Sequence, residues 1–182
     1  MATHTPESLS RRIHEAFEDV LLGDAGISLY EAMLIDDYWL LAPAKCPPRN
    51  DIERQWIKHE RKGRWQDLPP EMIVYYSGTL PFMNFEGRRF HLPAFMVITL
   101  DPHLNGQNAE ESVLQCLGCD QHIPEFERWT EAQRTATADF VRHESNKEDA
   151  QWEDAPPAFP QWAQTVSPPM QTYWQQYETK PQ

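Results

Sequence analysis

Apolar side chains recur at the spacing of an α-helix along most of this chain, and capping residues stand before several of these stretches. Residues 5–22 carry apolar side chains three or four positions apart, with Thr5 as the N-cap and Gly23 after the last turn. No segment alternates apolar and polar residues as a half-buried strand does. The sequence therefore predicts an all-α fold of about seven helices, although residues 72–76 and 95–100 are also compatible with strands.

Capping patterns mark the starts of the other helices. Ser28 with Glu31 and Thr130 with Gln133 have the spacing of a capping box, in which side chain and backbone bond reciprocally. Two further N-caps are asparagines, Asn50 and Asn84. Besides residues 5–22, the clearest predicted helices span residues 28–41, 51–62, 84–100 (with a kink or restart at Pro93) and 131–144.

Composition narrows the class of protein. The chain has 182 residues, which favours one domain, and a formal net charge of −12. An acidic surface repels phosphate groups, so neither nucleic acid nor an anionic membrane is expected as a direct partner. No apolar run approaches the roughly 20 residues of a membrane span. The first residues lack the pattern of a secretory signal, and three cysteines fit a reducing compartment, so we expect a cytoplasmic protein.

The amino-acid composition changes near Lys147, after which prolines are frequent and glycine is absent. We predict a helical domain over residues 1–146 and a tail over residues 147–182 that packs on it. Exposed indoles would form an adhesive apolar surface, so the tail is expected to pack through its tryptophans. These tryptophans are Trp152, Trp162 and Trp174.

The best candidate for metal chemistry is the stretch from Cys116 to His122. Cys116 and Cys119 form a C-x-x-C pair, His122 adds a third ligand type, and Cys46 or His103 could supply a fourth. The alternative is a pair of reduced cysteines at the end of a helix, one of them buried as a small apolar residue. A second half of a zinc motif is missing, so we predict no bound metal and no cofactor.

Other catalytic motifs are absent or incomplete. There is no phosphate-binding glycine loop and no G-x-S-x-G, and the three His-Glu pairs lack a second histidine four residues after the first. Asp36 and Asp37 are adjacent on a predicted helix and point about 100° apart, which favours one solvent-facing and one ion-paired carboxylate. The basic stretch 54–64 could indicate RNA binding, but pairing with acidic helices of the same domain fits the net charge better. We therefore predict no enzymatic activity.

Three short pieces carry a resemblance to a known family. They are W-x-D-L-P-P-E at Trp65–Glu71, F-x-x-x-x-F-x-L-P-A-F at Phe85–Phe95, and F-x-x-x-T-x-A-Q at Phe126–Gln133. Over roughly residues 10–143 the chain resembles a bacterial family of small, mostly helical proteins of unknown function. The resemblance implies a helical fold and no catalytic residues, because the shared positions are caps, kinks and core anchors.

These observations favour a cytoplasmic protein-binding module, most specifically an immunity protein that neutralises a cognate toxin. Toxins that attack nucleic acid present cationic clefts, and an acidic partner associates with such a surface faster and with better complementarity. Two alternatives stay open: a metal-binding or enzymatic protein that uses Cys116, Cys119 and His122, and a regulatory adaptor subunit. The free protein is expected to be a monomer.

Acidic residues outside the apolar stripes are the candidates for partner binding. One group lies on the first predicted helix and the other in the loop before residue 130, where an aromatic side chain could anchor the interface. The first group is Glu15, Glu18 and Asp19, and the second is Asp120, Glu125, Glu127 and Trp129. The alternative role of Trp129 is to staple the helix that follows it.

Overall fold

The computed structural model describes residues 5–38, 50–104, 107–152 and 166–179, without the side chains of residues 38, 107–108 and 148–152. These residues form nine α-helices and no β-strand. The predicted all-α fold is therefore confirmed, and the strand-compatible stretches lie in helices and a following turn. The helices are α1 (Pro6–Ala16), α2 (Leu29–Tyr38), α3 (Asp51–Lys62), α4 (Pro70–Tyr75), α5 (Phe85–Leu100), α6 (Gln107–Leu117), α7 (Ile123–Phe126), α8 (Glu131–Trp152) and α9 (Pro168–Gln175).

Side chains cap the helices where the sequence predicts caps. Before α3, Oδ1 of Asn50 accepts the backbone N–H of Glu53 at 2.9 Å. Before α8, Thr130 N donates to Gln133 Oε1 and Gln133 N donates to Thr130 Oγ1, each at 3.2 Å. The predicted capping box before α2 forms in the same reciprocal way. These bonds satisfy N–H groups that have no partner within the first turn of a helix.

Two helices end elsewhere than predicted. α1 stops at Ala16 and not at residue 22. The carbonyl of Phe17 accepts the indole N–H of Trp65 at 2.8 Å and the N–H of Val20 at 3.1 Å, and is therefore not used in a further helical turn. α8 continues to Trp152 and does not stop at residue 144. No glycine or proline occurs between residues 145 and 152 to end it.

The chain forms two compact units, one of residues 17–113 and one of the flanking segments 1–16 and 114–182. The predicted division into a domain over residues 1–146 and a tail over residues 147–182 stays a prediction. The side chain of Trp152 and the whole of Trp162 lie outside the described residues. None of the described helices is both long and apolar enough to cross a lipid bilayer.

α5 forms the centre of the unit of residues 17–113. Eleven of its 16 residues are buried, and Phe90 and Phe95 are completely so. Burial of each such side chain contributes about 1.5–3 kcal/mol. Pro93 lies inside α5 and the helix continues through it, so the restart that the sequence allowed at this proline does not occur.

A buried carboxylate joins three elements in the unit of residues 1–16 and 114–182. Asp139 on α8 has a fully enclosed side chain and accepts from Arg12 on α1 at 2.6 Å and from Arg142 at 3.0 Å. It also accepts from the hydroxyl of Thr179, just after α9, at 2.8 Å. Two cations and a hydroxyl compensate the cost of burying this charge, so α1, α8 and the C-terminal segment are held at one point.

Asn84 connects the start of α5 to the loop before α2. Its Oδ1 accepts the N–H groups of Gly87 and Ile27, each at 3.0 Å, and its Nδ2 donates to Ala25 O at 2.7 Å. A Cβ atom at Gly87 would lie 2.6 Å from the carbonyl oxygen of Ile27. The loop reaches Asn84 only because residue 87 has no side chain.

We predict that Asn84→Ala lowers the free energy of unfolding more than Asn50→Ala does. Asn50→Ala removes a helix cap alone, which costs about 1 kcal/mol. Asn84→Ala also removes two bonds to the loop, and the expected loss is about 2–4 kcal/mol. Urea denaturation of both variants measures the difference. Equal losses would show that the bonds from Asn84 to the loop do not contribute to stability.

Candidate functional site

The predicted acidic loop consists of a 3₁₀ turn and a short α-helix. Residues Asp120–His122 make a 3₁₀ turn that leads directly into α7. Asp120 and Glu127 are exposed and Glu125 is half-buried. Asp120 and Glu125 therefore lie on short helical segments, and Glu127 follows directly after α7 as its C-cap.

An aromatic cluster supports this loop from inside. Phe126 and Trp174 are each 1% exposed, and their ring centroids lie 5.1 Å apart. The indole of Trp174 donates to the carbonyl of Leu117 at 3.2 Å, which attaches α9 to the end of α6. Trp129 is 3% exposed and lies 5.0 Å from Phe126 in an edge-to-face arrangement. Trp129 therefore packs against the buried side of the loop. Its role as an interface anchor stays a prediction.

Two tyrosines of the C-terminal segment hold the carboxylate of Glu127. The hydroxyls of Tyr173 and Tyr177 donate to Glu127 Oε1 at 3.0 and 2.9 Å. Arg134 lies over the ring of Tyr177 at 5.1 Å and donates to the carbonyl of Glu127 at 3.1 Å. Partial burial and the hydrogen bond to Glu127 raise the pKa of Tyr173, so this hydroxyl keeps its proton at neutral pH.

The other predicted partner-binding residues lie near the end of α1. Glu15 is exposed on α1, 3.9 Å from Arg11 in a solvated ion pair. Glu18 and Asp19 are also exposed, but they follow α1 and do not lie on it, because the helix ends at Ala16. The prediction that Glu18 and Asp19 lie on the first helix is therefore wrong.

The cysteine-histidine stretch forms a pair and not a ligand set. His122 Nδ1 lies 2.9 Å from the carbonyl oxygen of Cys116 and 3.8 Å from its Sγ atom. Cys116 is completely buried, and Cys119 is half-buried. Within the described parts of the chain, no three or more His, Cys, Asp or Glu side chains are arranged to hold a metal. Cys46, a possible fourth ligand, lies outside the described residues, so the absence of zinc stays a prediction.

The basic helix α3 pairs with acidic residues of its own unit, as the net charge suggested. Arg61 forms a 2.6 Å ion pair with Glu31 on α2 and donates to the carbonyl of Gly26 at 2.8 Å. Asp36 and Asp37 are both exposed near the end of α2. Glu31, which the sequence indicated only as a capping residue, is thus also an ion-pair partner of the basic helix.

Sequence reasoning missed a buried polar network on the inner side of α3. Glu60 is completely enclosed, and its Oε1 accepts the N–H of Leu29 and lies 2.7 Å from Nε2 of His91. Nδ1 of His91 lies 2.8 Å from the carbonyl of Gly87, which can only accept, so Nδ1 carries a proton. Glu53 is also buried, seven residues before Glu60. Residues seven positions apart lie on the same face of a helix, so this spacing was the signal in the sequence that both glutamates share one face of α3.

The outer side of α3 carries a group of apolar residues together with α4. We call Ile52, Trp56, Val74 and Tyr75 the α3–α4 patch. Ile52, Val74 and Tyr75 are 57%, 41% and 56% exposed, and Trp56 is half-buried with its ring 5.6 Å from that of Tyr75. Trp56 also lies 5.9 Å from the buried ring of Tyr76. The patch was not predicted, because Ile52 and Trp56 fit an inward-facing stripe as well as an exposed one.

These features define an all-α protein with exposed acidic and apolar surfaces. The chain belongs to a family of unknown function (DUF6714), whose sequence model matches residues 5–178. The predicted resemblance to an uncharacterised helical family is therefore confirmed, and the match extends through α9. No curated protein and no solved structure has significant similarity to the chain.

We predict that Tyr76→Phe is neutral or stabilising at neutral pH and reduces the loss of stability in alkali. The Tyr76 hydroxyl is buried without a hydrogen-bond partner among the described residues. Burial, and then the carboxylates of Glu53 and Glu60, raise its pKa above the usual value. The Tyr76 hydroxyl ionises near pH 10 in the unfolded chain but keeps its proton at that pH in the folded chain. Tyr76 therefore lowers the free energy of unfolding only above about pH 10, by up to about 1.4 kcal/mol per pH unit.

Tyr75→Phe is the matched control, because it removes the neighbouring hydroxyl from an exposed side chain. Urea denaturation between about pH 7 and pH 11 measures both variants against wild type. The same alkaline slope in wild type and Tyr76→Phe would show that Tyr76 ionises as readily in the folded chain as in the unfolded one.

Proposed function

We propose that this protein is a protein-binding module that recognises a cationic protein surface, and that it acts in the cytoplasm as an immunity protein against a cognate bacterial toxin. The observation that carries the proposal is the acidic loop of residues 120–127. Asp120 lies on a 3₁₀ turn, Glu125 lies on a short helix and Glu127 caps that helix, and a buried aromatic cluster packs against these segments.

Preorganisation makes this loop suitable for binding. A flexible acidic loop loses conformational entropy when a partner orders it, and this loss weakens binding. Here the enclosed rings of Phe126 and Trp174 fix the backbone, and the hydroxyls of Tyr173 and Tyr177 fix the carboxylate of Glu127. A cationic partner would therefore meet acceptors that are already in position.

Charge supports the same class of partner. The chain has a net charge of −12, which attracts a cationic surface over a distance of about 10 Å at moderate salt. Asp120 is exposed at the start of the loop and forms no ion pair with any described residue. Such a carboxylate is available to an arginine or lysine of a partner.

Immunity is the role within this class that composition and charge fit best. A toxin that cleaves nucleic acid has a cationic active site, and an acidic protein that covers the site blocks catalysis without chemistry of its own. The pair of Cys116 and His122 gives no comparable support to an enzymatic role, because His122 Nδ1 donates to a backbone carbonyl at 2.9 Å.

The test is to co-express the chain with the toxin candidate encoded beside its gene and to measure growth and binding. We predict that wild type protects the cell and that Asp120→Lys weakens binding at least about tenfold, since a charge reversal at an interface costs more than about 1.4 kcal/mol. Asp120 is a better choice than Glu127, because a change at Glu127 would also break its bonds to Tyr173 and Tyr177.

Glu111→Lys is the matched control, since Glu111 is an exposed acid on α6 and its reversal changes the net charge equally. It should leave affinity within about threefold of wild type. Equal weakening by the two variants would show that net charge and not the loop governs binding. Failure of wild type to protect against the toxin would contradict the immunity role.

A further inference from the structure

The ring of His91 lies between two oxygen acceptors. Its Nδ1 atom is 2.8 Å from the carbonyl oxygen of Gly87, and its Nε2 atom is 2.7 Å from Oε1 of Glu60. A carbonyl oxygen accepts hydrogen bonds and does not donate them, so Nδ1 needs a proton. A neutral imidazole carries one proton, and its Nε2 atom would then present a lone pair to the carboxylate. Both contacts are hydrogen bonds only if a further proton lies between Nε2 and Oε1.

The burial of Glu60 favours retention of this further proton. Glu60 and His91 are both completely enclosed, and Oε2 of Glu60 has no hydrogen-bond partner among the described residues. Without the proton, the carboxylate would be a buried charge beside a neutral ring, with the N–H of Leu29 as a donor at 2.7 Å. A buried charge without a counter-charge costs more free energy than a buried neutral group. With the proton the pair is neutral overall, whether the proton lies on Nε2 or on Oε1.

The ionisable groups that surround the pair on the neighbouring elements are mostly acids. They are Tyr30 on α2, Glu53 on α3 and Tyr76 after α4, each at most 3% exposed. Burial, and then the charges of Glu53 and Glu60, raise the pKa of Tyr76, so these groups are close enough to interact. On α5, the buried guanidinium of Arg88 donates to a backbone carbonyl. Loss of the shared proton would add a negative charge among these acids, which opposes the loss.

We propose that Glu60 and His91 hold one shared proton in the folded chain and thereby make the unit of residues 17–113 sensitive to pH near neutrality. In an unfolded chain, a glutamate carboxyl is ionised above about pH 4.3 and an imidazole is neutral above about pH 6.5. Above about pH 6.5 the pair therefore takes up one proton when the chain folds, and stability falls as pH rises. Between about pH 4.3 and 6.5 the unfolded chain carries the same proton on His91, so the pair causes no slope.

The shared proton acts where three helices meet. Glu60 on α3 accepts the N–H of Leu29 at the start of α2 and contacts His91 on α5. A rise in pH therefore weakens the joint between these helices. Each pH unit above about 6.5 lowers the folding equilibrium constant by up to about tenfold, which corresponds to about 1.4 kcal/mol. This device goes beyond the proposed function, because the loop of residues 120–127 belongs to the other unit.

Heteronuclear NMR of the imidazole nitrogens in the full chain tests the shared proton directly. His91 should keep a proton on Nδ1 and show constant ring shifts between about pH 6 and 8, because the proton count of the pair does not change. His103 is the control, since it is exposed in the same unit and should show the shift changes of an imidazole that gains a proton on acidification. A His91 ring whose shifts change together with those of His103 would overturn the proposal.

The pH dependence of stability tests the consequence. Urea denaturation compares wild type with the double variant Glu60→Gln/His91→Phe, which lacks both ionisable groups of the pair. Between about pH 6.5 and 8.5, the folding constant of wild type should fall by up to about tenfold more per pH unit than that of the double variant. His103→Phe makes the same exchange at an exposed histidine and should keep the wild-type slope. Equal slopes in wild type and the double variant would contradict the proposal, and the NMR measurement on wild type decides if the double variant does not fold.

Discussion

The buried carboxylate of Glu60 is the interaction on which the unit of residues 17–113 depends most. It lies on α3, accepts the first N–H of α2 from Leu29, and contacts the ring of His91 on α5 at 2.7 Å. Each of the three helices would otherwise place a polar group in an apolar interior. Removing one member leaves the polar groups of the others buried without a hydrogen-bond partner, which costs about 1–3 kcal/mol.

The inward position of Glu60 also determines what α3 presents to solvent. Glu53 and Glu60 are the two acidic residues on the buried side, so the exposed side retains the lysines together with Ile52 and part of Trp56. The exposed residues of α3 are therefore mostly basic, with Asp51 as an exposed acid, although the chain as a whole is acidic. The buried network and the α3–α4 patch are two consequences of the same helix orientation.

Local signals in the sequence were sufficient for the fold class and for most helix starts. The capping box of Thr130 and Gln133 and the cap at Asn50 involve residues three positions apart, and they form as predicted. Helix ends depended on distant contacts. The carbonyl of Phe17 accepts from Trp65, 48 residues away, and no pattern within residues 5–22 indicates that bond.

The candidate site shows the same division between local and distant information. The acidic residues of the loop could be identified from composition, but the support that holds them comes from Tyr173 and Tyr177, 46 and 50 residues beyond Glu127. The pairing of Glu60 with His91 spans 31 residues and places a charged residue in the core, against its usual preference. Such contacts require the tertiary structure, because neither partner indicates the other in the sequence.

A double-mutant cycle between Glu60 and His91 tests most directly the claim that this pair joins the helices. Glu60→Gln, His91→Phe and the double variant are compared with wild type by urea denaturation. A coupling free energy of about 1.5–3 kcal/mol is predicted, as for a hydrogen bond to a charged group in a buried site. Losses that add to within about 0.5 kcal/mol would contradict the account.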